Sequence, residues 1–287
     1  MLYQYQIVEI ARENQVPVRT IDKDWVLGHF LNAVFLTEEL KSRLVFKGGT
    51  CLRKCYFHDY RFSEDLDFTF ADQKDRIHPD LIRAIILKAE EISGIRFYLQ
   101  SFQETQSGDV GQGYKIQIKY WGANHKPNQP PLPNPAERWH DKIELDFSYS
   151  EKLFLPVVSR PLIHNFPDNN LFGTKEIPCY ALEEIVAEKL RTLIQRNRPR
   201  DCYDDLWYLF KNKMDIDLNI AKELFYKKLE QKGISLPSSK VLITDEKVEI
   251  MAKHWNNSLL HQLPKGETPS PSALMIELKD QIATLFE

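Results

Sequence analysis

Two motifs carry the most information in this chain: Phe46-Lys47-Gly48-Gly49-Thr50, followed by Arg61-Phe62-Ser63-Glu64-Asp65-Leu66-Asp67-Phe68. The paired glycines predict a turn that opens a helix, and Thr50 is able to cap that helix. In the second motif aspartates alternate with apolar residues, and a period of two is typical of a β-strand. Asp65 and Asp67 are therefore expected on one face of a strand whose other face packs into the core.

The aspartates point to a bound cation. Two carboxylates on one strand face repel each other, which costs stability unless a cation is held between them. Beside a backbone turn that can bind phosphates, the cation that fits is Mg²⁺ carrying a nucleoside triphosphate. An Asp-x-Asp pair alone is a weak signal, because acidic pairs are common on exposed strands. The preceding Gly-Gly-Thr turn strengthens it, and Asp146 in a second alternating strand becomes a third carboxylate if the two strands are neighbours.

The composition is typical of a soluble globular protein. The 287 residues are 43% hydrophobic and 28% charged, which is enough for a large core and two domains. A formal net charge of −3 gives no overall sign of nucleic-acid binding, so any such site must be a local basic patch. We find no signal peptide at the N-terminus and no apolar run of the roughly 18 residues that cross a bilayer. We therefore expect a cytoplasmic protein with no membrane partner.

Several alternative chemistries lack their motifs. Neither a Gly-x-Ser-x-Gly nucleophile motif nor a Walker P-loop occurs, and the eight histidines are scattered without a metal-binding pattern. Four cysteines do not make a disulfide framework, and they fit a reducing compartment. Cys51 and Cys55 share a face of the predicted helix. We interpret them as packing residues, since no matching Cys or His pair stands elsewhere.

Periodicity predicts an α/β (α+β) part followed by an all-helical part. Helices are predicted over residues 4–13, 24–42, 50–57 and 79–93, and strands over 44–46, 65–70, 96–103, 114–121 and 142–149. The five prolines from Pro127 to Pro135 predict an extended loop, whose role stays open. Beyond Pro178 the helical period dominates, starting with a long amphipathic helix over Leu182–Asn197.

This helix and the segment after it carry further candidates. Lys189 lies at the edge of the apolar face, where it either snorkels to solvent or reaches a triphosphate. Asp201 either caps the next helix, orients Lys189 or acts as a general base. A group of arginines is either a solvated helix end or a binding site for the phosphates of a nucleotide or RNA. The group comprises Arg191, Arg196, Arg198 and Arg200.

Taken in order, the motifs resemble those of the AbiEii/AbiGii toxin family, whose MenT-like members are nucleotidyltransferases of type IV toxin–antitoxin systems. The resemblance spans roughly residues 20–210 and rests on residues 44–52, 61–68, 188–191 and 198–204. It implies a minimal polymerase-β-type nucleotidyltransferase core with a mixed sheet over residues 1–180. It further implies a helical C-terminal domain over residues 181–287 that contributes Lys189 and Asp201 to the cleft.

The resemblance also implies a role for each motif residue. The implied metal ligands are Asp65, Asp67 and, less directly, Asp146. The implied nucleotide-binding residues are Gly48, Gly49, Thr50, Arg61, Ser63 and Lys189. The implied catalytic residues are Asp65, Asp67, Lys189 and Asp201.

The implied activity is that of a magnesium-dependent toxin of a toxin–antitoxin or abortive-infection system. It would use an NTP as substrate, with an RNA acceptor such as the 3′ end of tRNA and a cognate antitoxin protein as partners. Two alternatives stay open: transfer to a protein hydroxyl or small molecule, and a non-catalytic NTP-binding module. The arginine group favours RNA. The sequence names neither the NTP nor the acceptor.

Overall fold

The chain folds into two compact units. The computed structural model describes residues 2–106, 112–123, 135–173, 176–195, 206–211, 215–236, 242–264 and 270–287. The first unit consists of Met1–Leu153 and Val157–Cys179, and the second of Phe154–Pro156 and Tyr180–Glu287. Within the described ranges, none of the helices combines the length and the apolar character that crossing a bilayer requires.

The first unit is built on a mixed sheet of seven strands with the order β3-β4-β5-β2-β1-β7-β6. The strands are β1 (Leu44–Lys47), β2 (Asp65–Phe70), β3 (Arg96–Gln106), β4 (Gln112–Trp121), β5 (Lys142–Ser148), β6 (Val158–Arg160) and β7 (Ile177–Cys179). β2 runs parallel to β5, and β1 runs parallel to β7, whereas the other neighbours are antiparallel. This sheet confirms the α/β (α+β) fold class.

Among the described residues of the first unit, five α-helices accompany the sheet: α1 (Gln4–Asn14), α2 (Val18–Leu36), α3 (Glu38–Lys41), α4 (Gly48–Cys51) and α5 (Pro79–Ser93). The helix predicted over residues 24–42 is divided at Thr37 into α2 and α3, and α2 begins earlier than predicted, with Pro17 as its N-cap. α4 is shorter than predicted, since a π-helical turn over Leu52–Tyr56 follows it.

A buried aspartate ties α2 to this π-helical turn. Asp24 accepts hydrogen bonds from Arg53 Nε at 2.9 Å and from Lys54 Nζ at 2.8 Å. Burial opposes the charge on Asp24, but the two cations outweigh burial and lower the pKa of the carboxyl. A charged residue therefore fits at a buried position of α2 because both of its oxygens are bound by cations.

A second buried carboxylate, Asp168, ties α2 to the segment after β6. Its oxygens accept a hydrogen bond from Trp25 Nε1 at 2.9 Å and lie 3.1 Å from His29 Nε2 and from His164 Nε2. Although burial opposes its charge, these donors lower the pKa of Asp168 far below the ordinary range. Burial also lowers the pKa of His164 to about 4, so this imidazole is neutral in the folded protein at neutral pH.

The second unit contains five helices among its described residues: α6 (Leu182–Gln195), α7 (Tyr208–Lys211), α8 (Leu218–Lys232), α9 (Asp245–Ser258) and α10 (Pro271–Phe286). A buried ion pair, Glu184 Oε1 to Lys228 Nζ at 2.9 Å, joins α6 to α8. Glu184 also accepts hydrogen bonds from the backbone N–H groups of Phe154 and Leu155, each at 3.1 Å. These bonds satisfy both carboxylate oxygens of a residue that is 1% exposed.

We expect acid to destabilise the first unit through His164. Its pKa falls from the ordinary 6.5 to about 4 on folding, so the unfolded state binds more protons between these pH values. The stabilisation is complete above pH 6.5 and is lost as the pH falls towards 4, by about 3 kcal/mol at 1.36 kcal/mol per pKa unit. His164→Gln, which keeps a donor for Asp168, should flatten the pH dependence of the unfolding free energy measured in urea.

The exposed His140 offers a matched control, since His140→Gln removes a titratable ring without touching Asp168. That variant should keep the wild-type slope between pH 6.5 and 4. An equal slope in His164→Gln would show that His164 is not the source.

Candidate active site

A glycine turn, Gly48 and Gly49, opens α4 directly after β1. It brings the backbone against the side chains of the second motif. Gly48 has a φ of +78°, and a Cβ at this position would collide with the carboxylate of Asp67, standing 2.9 Å from its Cγ. A Cβ at Gly49 would stand 2.7 Å from Arg61 Nη2 and 3.6 Å from Ser63 Oγ. Gly48 therefore requires glycine because of its positive φ and its contact with Asp67, and at Gly49 a Cβ would have to displace the Arg61 guanidinium.

Strand register places the aspartates side by side. The antiparallel pair β1–β2 sets Lys47 opposite Asp67, and the parallel pair β2–β5 sets Asp67 beside Asp146. β2 and β5 are thus neighbours, which is the condition that the sequence required for Asp146 to join the pair. The same register sets Asp65 beside Glu144. Two neighbouring strands therefore present four carboxylates on one face of the sheet.

Within this acidic group, Asp146 has the least favourable surroundings for a negative charge. Its Oδ1 atom is buried and has no hydrogen-bond partner within the described part of the chain. Burial, followed by the negative charge of Asp67, raises the pKa of Asp146 to about 7 against the opposing effect of Lys115. A buried carboxylate oxygen without a partner is costly, and a cation is the partner that would offset both the burial and the repulsion.

Glu144 lies on the same face of β5, two residues before Asp146, and its environment is the opposite. Its carboxylate lies 3.1 Å from Lys115 Nζ and 2.9 Å from Lys142 Nζ, and it accepts a hydrogen bond from Gln117 Nε2 at 2.8 Å. Burial opposes its charge, but these donors lower the pKa of Glu144. The protein thus binds the carboxylate of Glu144 with its own cations, whereas Asp146 beside Asp67 keeps a buried oxygen without a hydrogen-bond partner among the described residues.

The aspartates suit a hard divalent cation such as Mg²⁺, which prefers carboxylate oxygens. Asp65 and Asp67 come from one strand, and Asp146 comes from its parallel neighbour. In the described structure, the carboxylate oxygens of these three aspartates do not all lie within 4.8 Å of one another. Ligation by all three therefore requires at least one side chain to rotate towards the ion.

The remaining residues of the two motifs are buried next to the turn. The Thr50 hydroxyl donates a hydrogen bond to the backbone carbonyl of Asp65, so its side chain fastens α4 to the start of β2. Arg61 donates to the carbonyl of Phe62 at 2.7 Å, and its guanidinium is also the nearest group to Gly49. The structure therefore brings Gly48, Gly49, Thr50, Arg61, Ser63, Asp65, Asp67 and Asp146 together within the first unit.

The other predicted residues belong to the second unit. Lys189 is partly exposed on α6, between the buried residues Glu188 and Leu190. Arg191 is buried on the same helix, with Nη2 3.8 Å from Glu188 Oε1. Asp201, Arg196, Arg198, Arg200 and positions 127–134 of the proline-rich loop lie outside the described residues. The roles of Lys189 and Asp201 stay predictions.

Two buried clusters were not anticipated from the sequence. One consists of His29, His164 and Asp168, and the other of Cys51, Cys55 and Cys179. The sequence offers no second Cys or His pair to match Cys51 and Cys55, but the pairing of β1 with β7 brings a single cysteine, Cys179, to them. No spacing in the sequence predicts this contact, because it depends on the pairing of two strands that are far apart in the chain.

Comparison with known proteins gives a family match. A family model described as "Nucleotidyl transferase AbiEii toxin, Type IV TA system" matches residues 29–277. Among solved structures, MenT4, a nucleotidyltransferase toxin from Mycobacterium tuberculosis H37Rv, is similar at a TM-score of 0.62 and 22% identity, over 98% of this chain and 89% of that one. JHP933 from Helicobacter pylori is similar at 0.53 and 16%, over 94% and 93%. No curated protein matches. The structural likenesses concern the fold.

We expect Asp146→Asn to stabilise the protein when divalent cations are removed with a chelator. The substitution relieves the repulsion from Asp67 and lessens the cost of the buried oxygen, so the unfolding free energy at pH 8 should rise by about 1 kcal/mol. Glu144→Gln on the same strand face is the matched control, and it should lower the unfolding free energy because Glu144 is bound by two lysines. Urea denaturation measures both, and the same sign for the two variants would contradict this interpretation.

Proposed function

Because the chain belongs to the AbiEii family of nucleotidyltransferase toxins of type IV toxin–antitoxin systems, we propose that it transfers a nucleoside monophosphate from a Mg²⁺-bound NTP to an RNA acceptor, at the 3′ end of tRNA. Membership makes the chain a nucleotidyltransferase and implies an antitoxin partner. The choice of RNA rests on the arginines near α6, which suit phosphate groups. The choice of Mg²⁺ rests on carboxylate ligands.

One observation carries the proposal: Asp146, whose buried Oδ1 has no hydrogen-bond partner among the described residues, lies side by side with the acid Asp67 at the Gly48 turn. Asp65, Asp67 and Asp146 would hold the divalent cation. When bound, the cation would neutralise the negative charge that builds on the triphosphate during transfer. The turn allows phosphate groups to approach the carboxylates because no side chain stands between them.

The remaining residues have positioning roles in this proposal. The backbone N–H groups of Gly49 and Thr50 bind phosphate oxygens, and the buried guanidinium of Arg61 adds a positive charge next to Gly49. Ser63, whose Oγ also faces Gly49, supports the phosphates. Lys189 binds the nucleotide phosphates from α6. Asp201 completes the site.

Transfer can be measured directly with each of the four radiolabelled NTPs, total tRNA and Mg²⁺. Wild-type protein should label tRNA with at least one NTP, and a chelator should abolish labelling. Asp67→Asn should lower the rate by about 10³-fold or more, because it removes a charge that acts on the transition state. The variant should keep a cooperative thermal transition. Labelling of protein or of a small molecule alone, or no labelling with any NTP, would contradict an RNA acceptor.

Gly48→Ala tests the close approach of the turn to Asp67. A methyl group at Gly48 displaces the Asp67 carboxylate, so we expect a loss of transfer of at least 100-fold. Gly233→Ala is the matched control, because Gly233 also has a positive φ, +62°, but a Cβ there meets nothing within 4 Å. Both variants pay the strain of a left-handed backbone, about 1–2 kcal/mol, whereas only Gly48→Ala should lose transfer. Equal activity in the two variants would contradict the role of the turn.

A further inference from the structure

Three cysteines from separate parts of the first unit converge behind the glycine turn. Cys51 ends α4, Cys55 lies in the π-helical turn, and Cys179 ends β7. Their side chains are 0%, 1% and 0% exposed, and their sulfur atoms all lie within 4.8 Å of one another. β7 is held in place by its parallel pairing with β1, where Cys179 stands opposite Phe46.

The spacing of the sulfurs suits a single metal ion. At a Zn–S distance of about 2.3 Å, the sulfurs of one zinc site stand about 3.8 Å apart. Sulfurs that already lie within 4.8 Å of one another reach this spacing by small side-chain rotations. Thiolates select soft or borderline cations, and oxygen ligands select Mg²⁺, so the cysteine cluster differs in metal preference from the aspartates.

The charge around the cluster favours a divalent ion. Arg160 is fixed at the cluster, since its Nε donates to the Cys55 carbonyl at 3.3 Å and its guanidinium lies 4.6 Å from the centre of the Tyr56 ring. Three thiolates, one divalent cation and this guanidinium together are neutral, which suits a buried site.

We propose that Cys51, Cys55 and Cys179 form a Zn²⁺-binding site that fastens α4, the helix carrying the glycine turn, to β7. Among the described residues the cluster offers three ligands of the Cys, His, Asp or Glu type, and no fourth. The site is separate from the proposed transfer reaction, and its occupancy is measurable without NTP or acceptor.

The test starts from reduced protein freed of metal with a chelator. Equilibrium dialysis against Zn²⁺ in excess Mg²⁺, followed by elemental analysis, should give one zinc per chain, and zinc should raise the melting temperature. Co²⁺ serves as a spectroscopic probe, because thiolate ligation produces a sulfur-to-cobalt charge-transfer absorption. Both readouts use the wild-type protein, so they do not depend on whether a variant folds.

Variants then identify the ligands. Cys179→Ser should weaken zinc binding at least 100-fold and remove the cobalt absorption. The fourth cysteine of the chain provides the control, and Cys202→Ser should keep both. Asp67→Asn should also keep both, which separates this site from the proposed magnesium site. Less than 0.1 zinc per chain, binding unchanged by Cys179→Ser, or a disulfide among the three cysteines in freshly purified protein would each overturn the proposal.

Discussion

The approach of the Gly48 backbone to the Asp67 carboxylate is the contact on which the candidate site depends. It requires glycine twice over, through the positive φ and through the absence of space for a Cβ. Asp67 in turn is fixed by β2, whose register with β1 and β5 sets Lys47 on one side and Asp146 on the other. A change in register of one residue would turn the aspartates to the other face of the sheet, so the sheet and the site are specified together.

The carboxylates that hold the fold together differ from Asp146 in the hydrogen-bond partners that surround them. Asp24, Asp168 and Glu184 are buried, and the chain supplies cations or N–H donors to each of them. Asp146 differs, since its Oδ1 has no such partner among the described residues and its neighbour Asp67 is another acid. A buried carboxylate oxygen without a partner, on a residue whose neighbour is a second acid, suits an external cation.

The sequence predicted what local patterns determine. Alternation identified β2 and β5 and the face on which their acids lie, and the paired glycines identified the turn that opens α4. Features that depend on contacts between distant segments were missed. They are the ion pairs of buried Asp24 with Arg53 and Lys54, and the grouping of His29 and His164 around Asp168. The contact of Cys179 with the cysteines at α4 was missed as well. Their side chains carry no periodic signal, because strand order and tertiary packing alone bring them together.

The shortness of α4 explains why contacts accumulate around it. A helix of four residues has too few internal hydrogen bonds to be stable by itself, so its geometry must come from its neighbours. Thr50 binds it to β2 through the Asp65 carbonyl, and Cys51 places it against Cys179 of β7. These two residues are consecutive and point to different strands, which holds the helix from two directions. The backbone that faces Asp67 is thereby fixed before any substrate arrives, and such preorganisation lowers the cost of binding a phosphate there.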